Sequence, residues 1–203
     1  MKVYGDVWSG NCYKIKLALT RLQLPFEWVA VDITKGESRT PAFLAKNPNG
    51  RVPLLELDDG TCLAESNAVL WYLAEGTPLV PAERLARAQA LQWMFFEQYS
   101  HEPNIATARF IVRYLGNPPE RREALDAKMA PGYAALGVME THLAGRDWFA
   151  GGNCSIADIA LYAYTHCAGD GGFDLRRFPA IRSWLARVES QPFHVPMGER
   201  LAQ

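Results

Sequence analysis

The sequence predicts an α/β domain over residues 1–76, followed by an all-helical domain over residues 82–203. Two observations predict this division: strand-like and helix-like patterns alternate only in the first part, whereas every later apolar stripe has helical spacing. A third is the proline-containing segment at residues 77–81, which has the composition of a linker. The length of 203 residues is enough for two small domains.

The first domain has the predicted element order β-α-β-α-β-β-α. The expected elements are strands at residues 2–4 and 26–31, a helix from Cys12 to Leu22, a short helix at residues 41–46, a hairpin at residues 54–64 and a helix from Ser66 to near Gly76. In the first helix, Ile15 and Leu19 share an apolar face with Cys12, whereas Lys14 is expected to lie largely off that face. This order predicts a sheet with helices on both faces.

The second domain begins with a helical pattern over residues 82–115, which we expect to bend near Pro103 because proline lacks a backbone donor. A second helical stripe covers residues 125–143. Ser155 and Asp158 have the spacing of an N-cap residue and an acidic residue three positions later. The segment after Ser155 is apolar and predicts a helix central to the core. Phe178 and the proline after it open the last predicted helix, and the tail beyond Gln191 is expected to be irregular.

Composition excludes several classes of function. The net charge of −1 argues against a nucleic-acid partner held by a general positive field. No apolar run reaches the roughly 18 residues of a membrane helix, and the first residues enter a strand pattern without the features of a signal peptide. The cysteines form no Cys-x-x-Cys pair and the histidines are scattered, which argues against a zinc site. Reduced thiols in a cytosolic protein are expected.

The residues from Val52 to Ser66 predict a binding site for a peptide with a carboxylate. Pro53 suits the first residue of a strand, and a cis Val52-Pro53 bond would turn the main-chain groups of Val52 outward, where an extended peptide could pair with them. The helix after Glu65 begins with unpaired N–H groups and a partial charge of about +0.5, which favour a carboxylate. A plain hairpin followed by a capped helix is the alternative.

This chain resembles the soluble, cytosolic-type glutathione S-transferases, in a bacterial-like and serine-type form. The resemblance rests on Val52-Pro53 before a strand, Glu65-Ser66 opening a helix, the Ser155-to-Asp158 cap and, more weakly, Phe178-Pro179 with Trp184. It implies a thioredoxin-like domain followed by an all-helical domain. It also implies a cytoplasmic detoxification enzyme that uses glutathione as co-substrate, with no metal or other cofactor. A homodimer is implied too, for which the regions of Trp71 and Trp93 offer apolar surface.

The resemblance implies a residue that stabilises the glutathione thiolate. Ser9, between the first strand and the first helix, matches the serine position of the family. Asn11 is an alternative, because some family members use an asparagine there. Cys12 is a third candidate, since a cysteine at a helix start can have a lowered pKa and exchange disulfides with glutathione. However, Cys12 shares the apolar face of its helix, which favours a buried structural thiol.

The resemblance also assigns the binding residues. Val52, before Pro53, is expected to pair with the cysteinyl backbone of glutathione. Ser66 is expected to bind the γ-glutamyl carboxylate, and Glu65 the ammonium group. Arg39 or Arg51 could pair with the glycyl carboxylate, although either could be a solvated surface charge.

The second substrate is expected to be a small hydrophobic electrophile bound between the domains. Trp8, Tyr99 and Arg109 are the candidate pocket residues, although helical spacing also suits a place in the core. Two other functions stay open at this point: glutathione-dependent reduction of a disulfide, and a binding protein that keeps the fold without catalysis.

Overall fold

The computed structural model describes residues 1–199. The chain divides into two compact units, Thr77–Gln191 and a unit that joins Met1–Gly76 to the tail at residues 192–199. The predicted second domain extends to residue 203, and residues 200–203 lie outside the described part. The tail at residues 192–199 contains neither helix nor strand.

The first unit is a thioredoxin-like four-stranded mixed sheet with helices, in the predicted element order. The strands are β1 (Lys2–Gly5), β2 (Glu27–Ala30), β3 (Leu54–Glu56) and β4 (Cys62–Ala64), and the helices are α1 (Gly10–Arg21), α2 (Pro41–Lys46) and α3 (Ser66–Ala74). The spatial order of the strands is β2-β1-β3-β4, with β1 parallel to β2 and antiparallel to β3. Val3, Leu54 and Leu55 are fully buried at the centre of this sheet.

Helix α1 is buried far more completely than its sequence predicts. Lys14, expected off the apolar face, is fully buried, and Lys16 is 3% exposed. The tail accounts for part of this burial, because Lys16 Nζ donates to the carbonyl of Pro196 at 3.2 Å and the Tyr13 hydroxyl donates to the carbonyl of Val195 at 2.7 Å. Lys14 is also buried because its Nζ has partners inside the fold, Ser66 Oγ at 3.3 Å and Asn67 Oδ1 at 3.4 Å.

The second unit is helical, as predicted. Its α-helices are α4 (Arg84–Phe96), α5 (Glu102–Arg109), α6 (Arg122–Leu143), α7 (Ile156–Thr165) and α8 (Pro179–Glu189). The long helical pattern at residues 82–115 contains two π-helical segments, Glu97–His101 and Phe110–Tyr114. The first of them leads into α5, whose first turn holds Pro103. Helix α6 continues through Pro131 without interruption.

Helix α7 forms the core of the second unit, and all ten of its residues are buried. The predicted capping box of Ser155 and Asp158 is confirmed. The Asp158 carboxylate accepts four hydrogen bonds, from Phe149 N at 3.1 Å, Ser155 N at 2.8 Å, Ser155 Oγ at 2.9 Å and Trp184 Nε1 at 3.0 Å. Within residues 1–199, no helix is both long and apolar enough to cross a membrane.

Candidate functional site

Ser9 lies in the turn between β1 and α1, where it is the N-cap residue of α1. Its backbone is extended, with φ −75° and ψ 125°, and its hydroxyl accepts from the N–H of Cys12 at 3.4 Å. A serine hydroxyl that accepts one hydrogen bond can still donate its proton to another group. The side chain is partly exposed. The cap geometry thus holds Ser9 in place and leaves a donor for a ligand.

Cys12 is completely buried in the first turn of the same helix. A Cβ atom at Gly5 would come within 2.9 Å of Cys12 Sγ, so the thiol fills the space against β1 that the glycine leaves. Burial raises the pKa of the Cys12 thiol to about 12, although Ser9 opposes the shift. The thiol is therefore protonated at neutral pH, which favours the structural interpretation of Cys12 over a nucleophilic one.

Val52 precedes β3, and the peptide bond between Val52 and Pro53 is cis. Within residues 1–199, the N–H and C=O groups of Val52 have no hydrogen-bond partner. The preceding loop is held in place, because Asn47 Nδ2 donates to the carbonyl of Arg51 at 2.8 Å and Arg39 Nη1 donates to that of Asn49 at 3.0 Å. Val52 therefore presents a backbone donor and acceptor from a fixed loop, as an extended peptide requires.

Glu65 turns the chain into α3. Its φ of 66° lies in the left-handed region, which a residue other than glycine adopts at a cost of order 1–3 kcal/mol. The Glu65 side chain is exposed, whereas Ser66, the first residue of α3, is 5% exposed. The strained turn thus places a buried hydroxyl at the start of the helix beside an exposed carboxylate.

Helices α1 and α3 meet through a small hydrogen-bond network. The Ser66 hydroxyl donates to Asn11 Oδ1 at 3.2 Å. Lys14 Nζ donates to Ser66 Oγ at 3.3 Å and to Asn67 Oδ1 at 3.4 Å. Asn11 and Ser66 were predicted site residues, but Lys14 was missed. Its position three residues after Asn11 was the available signal, since residues at i and i+3 share a helix face.

The three residues predicted to bind an electrophile have different environments. Trp8 belongs to the first unit, is 43% exposed, and has its ring next to Gly198 in the tail. In the second unit, Tyr99 is 87% exposed. Arg109 is buried and its Nε donates to the partly exposed Asp170 at 3.1 Å, an ion pair within the second unit that favours a structural role.

The sheet, the cis Val52-Pro53 bond and the serine at the start of α3 define a thioredoxin-like domain. Family models give the same result for both parts of the chain. The N-terminal domain of glutathione S-transferase matches residues 8–75, and the C-terminal domain matches residues 104–192. The chain belongs to the glutathione S-transferase family.

Individual proteins are similar over nearly the whole chain. A crystal structure of a glutathione S-transferase from Pseudomonas fluorescens is 61% identical, covers 98% of both chains and has a TM-score of 0.96. A glutathione transferase from Burkholderia graminis, whose structure holds two glutathione molecules per subunit, is 29% identical with a TM-score of 0.81 and covers 95% of this chain and 84% of that one. The disulfide-bond oxidoreductase YfcG of Escherichia coli is 31% identical over 90% of this chain and 87% of its own.

Proposed function

We propose that this protein is a glutathione S-transferase enzyme that binds glutathione in its first unit and activates the thiol as a thiolate. The thiolate then attacks a small hydrophobic electrophile. The observation that carries the proposal is the hydrogen bond between Asn11 and Ser66 at 3.2 Å. This bond brings the start of α1, which holds the thiol-activating candidates, against the start of α3, which suits a carboxylate.

The residues take separate roles in this proposal. Ser66 and the first N–H groups of α3 bind the γ-glutamyl carboxylate, while the exposed Glu65 pairs with the ammonium group. The backbone of Val52 pairs with the cysteinyl residue. Arg39 or Arg51 pairs with the glycyl carboxylate, and both side chains are exposed and within the same unit. Ser9 donates to the sulfur.

One hydrogen bond from a hydroxyl can supply the free energy that this lowering of the thiol pKa requires. A free thiol has a pKa of about 8.5, and lowering it by two units requires about 2.7 kcal/mol of differential stabilisation. A hydrogen bond to a charged group contributes about 1.5–3 kcal/mol. Asn11 is the alternative donor. Cys12, with its buried and protonated thiol, is the weakest of the three candidates.

Reduction of a small disulfide is a second candidate function, favoured by the similarity to YfcG. In that reaction the activated glutathione thiolate attacks a disulfide sulfur and a thiolate leaves. The same bound thiolate serves both functions, so the second substrate distinguishes them. An assay with an aromatic chloride and a small disulfide in parallel measures which reaction the protein accelerates.

The proposal is tested by titrating the thiol of bound glutathione through its ultraviolet thiolate absorbance. Ser9→Ala should raise that pKa and lower turnover at neutral pH, with only a modest loss of affinity. Ser66→Ala should do the opposite, weakening binding with little change in the pKa. If Ser9→Ala leaves the titration unmoved and Asn11→Ala or Cys12→Ala shifts it, the activating role belongs to that residue. Covalent glutathione trapped on Cys12 would favour disulfide exchange.

We also propose a twofold-symmetric homodimer in the cytoplasm, with a role in detoxification. The exposed apolar side chains of Leu85 and Phe95 on α4, 63% and 70% exposed, support an interface there. Trp93, whose region was also expected to offer apolar surface for this contact, is 7% exposed and belongs to the core. Light scattering at micromolar concentration should give the mass of a dimer, and a monomer mass would contradict this assembly.

A further inference from the structure

The donor and acceptor groups of Lys14, Ser66 and Asn11 determine the direction of the hydrogen bonds between them. An ammonium group has only donors, so Ser66 Oγ must be the acceptor in its 3.3 Å contact with Lys14 Nζ. The hydroxyl proton of Ser66 is then directed elsewhere, and it points to Asn11 Oδ1 at 3.2 Å. The order of donation is therefore from Lys14 to Ser66 and from Ser66 to Asn11.

A serine hydroxyl has a single proton to donate. In the proposed glutathione complex, the γ-glutamyl carboxylate lies at the start of α3 and accepts that proton. Asn11 Oδ1 and the carboxylate therefore compete for the same donor, and Ser66 cannot serve both at once.

We propose that the Ser66 proton switches from Asn11 to the γ-glutamyl carboxylate when glutathione binds, which breaks the hydrogen bond between Ser66 and Asn11. This inference rests on the proposed function. Asn11 is then a positioning residue that opposes binding of the carboxylate. An occupied carboxylate site thus removes a hydrogen bond from Asn11, which lies two residues from Ser9. The γ-glutamyl end of the ligand and the thiol-activating end of the site are thereby linked.

The carboxylate is the stronger acceptor in this competition. A hydrogen bond to an ionised acceptor is roughly twice as strong as a neutral one. Lys14 Nζ lies 3.3 Å from Ser66 Oγ. A carboxylate oxygen that accepts from Ser66 Oγ would lie about 2.7 Å from that atom, and therefore within about 6 Å of Lys14 Nζ. At that distance a buried cation favours an anion. Lys14 thus fixes the direction of the Ser66 hydroxyl and attracts the group that displaces Asn11.

The test uses S-methylglutathione, which keeps the γ-glutamyl carboxylate but has no free thiol. Its Kd is measured by calorimetry for the wild type, Asn11→Ala, Ser66→Ala and the double variant. Removing the competitor should tighten binding to Asn11→Ala by roughly two- to tenfold, the range of one neutral hydrogen bond. In the Ser66→Ala background, Asn11→Ala should not tighten binding of S-methylglutathione. A merely structural role of Asn11 would weaken binding in both backgrounds, and that result overturns the switch.

A second ligand and a second variant sharpen the test. An analogue of S-methylglutathione in which hydrogen replaces the γ-glutamyl carboxylate should bind the wild type and Asn11→Ala equally. Asn11→Asp keeps an acceptor for the Ser66 proton, so this variant should bind S-methylglutathione more weakly than the wild type does. It should bind the analogue about as tightly as the wild type does. Equal losses of affinity for both ligands overturn the switch, even if Asn11→Ala fails to fold.

If the wild type binds S-methylglutathione without any coupling between Asn11 and Ser66, the switch fails and the proposed function stands. If the wild type does not bind it, both fail.

Discussion

Replacing Asp158 by alanine should destabilise the second unit strongly. The carboxylate is fully buried and accepts from Phe149 N, Ser155 N, Ser155 Oγ and Trp184 Nε1. These donors lie in three separate parts of the unit: the loop before α7, the start of α7 and helix α8. Asp158→Ala removes the acceptor for all of them at once, whereas removal of an ordinary helix cap affects one helix end.

The loss in the free energy of unfolding can be estimated from the buried donors that no longer have an acceptor. A buried donor without a partner costs about 1–3 kcal/mol, and the backbone N–H groups of Phe149 and Ser155 and the indole N–H of Trp184 are all affected. Burial raises the pKa of Asp158, so removing the buried carboxyl offsets part of this cost. We expect a net loss of about 3–5 kcal/mol, compared with about 0.5–2 kcal/mol for an ordinary N-cap. For a chain of this length, that corresponds to a melting temperature lower by about 6–20 °C.

Thermal and urea unfolding followed by circular dichroism measure this loss. Asp126→Ala is the matched control, because Asp126 pairs with Arg122 at 3.0 Å on the surface of α6, where both side chains are well exposed. Such a pair contributes about 0.3–0.5 kcal/mol. Glutathione affinity of folded Asp158→Ala should be nearly unchanged, since the proposed ligand residues lie in the other unit. If both variants unfold alike, the carboxylate does not hold these three parts together.

Two further predictions concern helix α1. Burial raises the pKa of the Cys12 thiol and keeps it protonated at pH 7, so iodoacetamide should modify the partly exposed Cys62 much faster than Cys12 in the folded protein. Equal rates by mass spectrometry would show that Cys12 is accessible. Tyr13→Phe removes the 2.7 Å hydrogen bond to Val195 and should cost about 0.5–1.5 kcal/mol, with faster hydrogen exchange of amides in α1. Unchanged exchange would mean that the tail does not hold the helix.

Local patterns were sufficient for the fold. The hairpin at residues 54–64, the cap of α7 at Ser155 and the apolar spacing of α7 each depend on residues a few positions apart, and the structure has each of them. The positions of Ser9 and Ser66 were also predictable from local sequence, because each residue lies where a helix begins. The π-helical segments around α5 were not predicted from the sequence.

The lysines of α1 could not have been interpreted from their neighbours in the sequence. A buried ammonium is costly unless it has hydrogen-bond partners. The partners of Lys14 and Lys16 lie far along the chain, Ser66 at 52 positions and Pro196 at 180. A lysine in an amphipathic helix normally predicts a solvated face, and here both are buried because α3 and the tail supply oxygen acceptors. Burial of α1 and construction of the candidate site thus depend on the same long-range contacts, so a change at Lys14 should affect stability and ligand binding together.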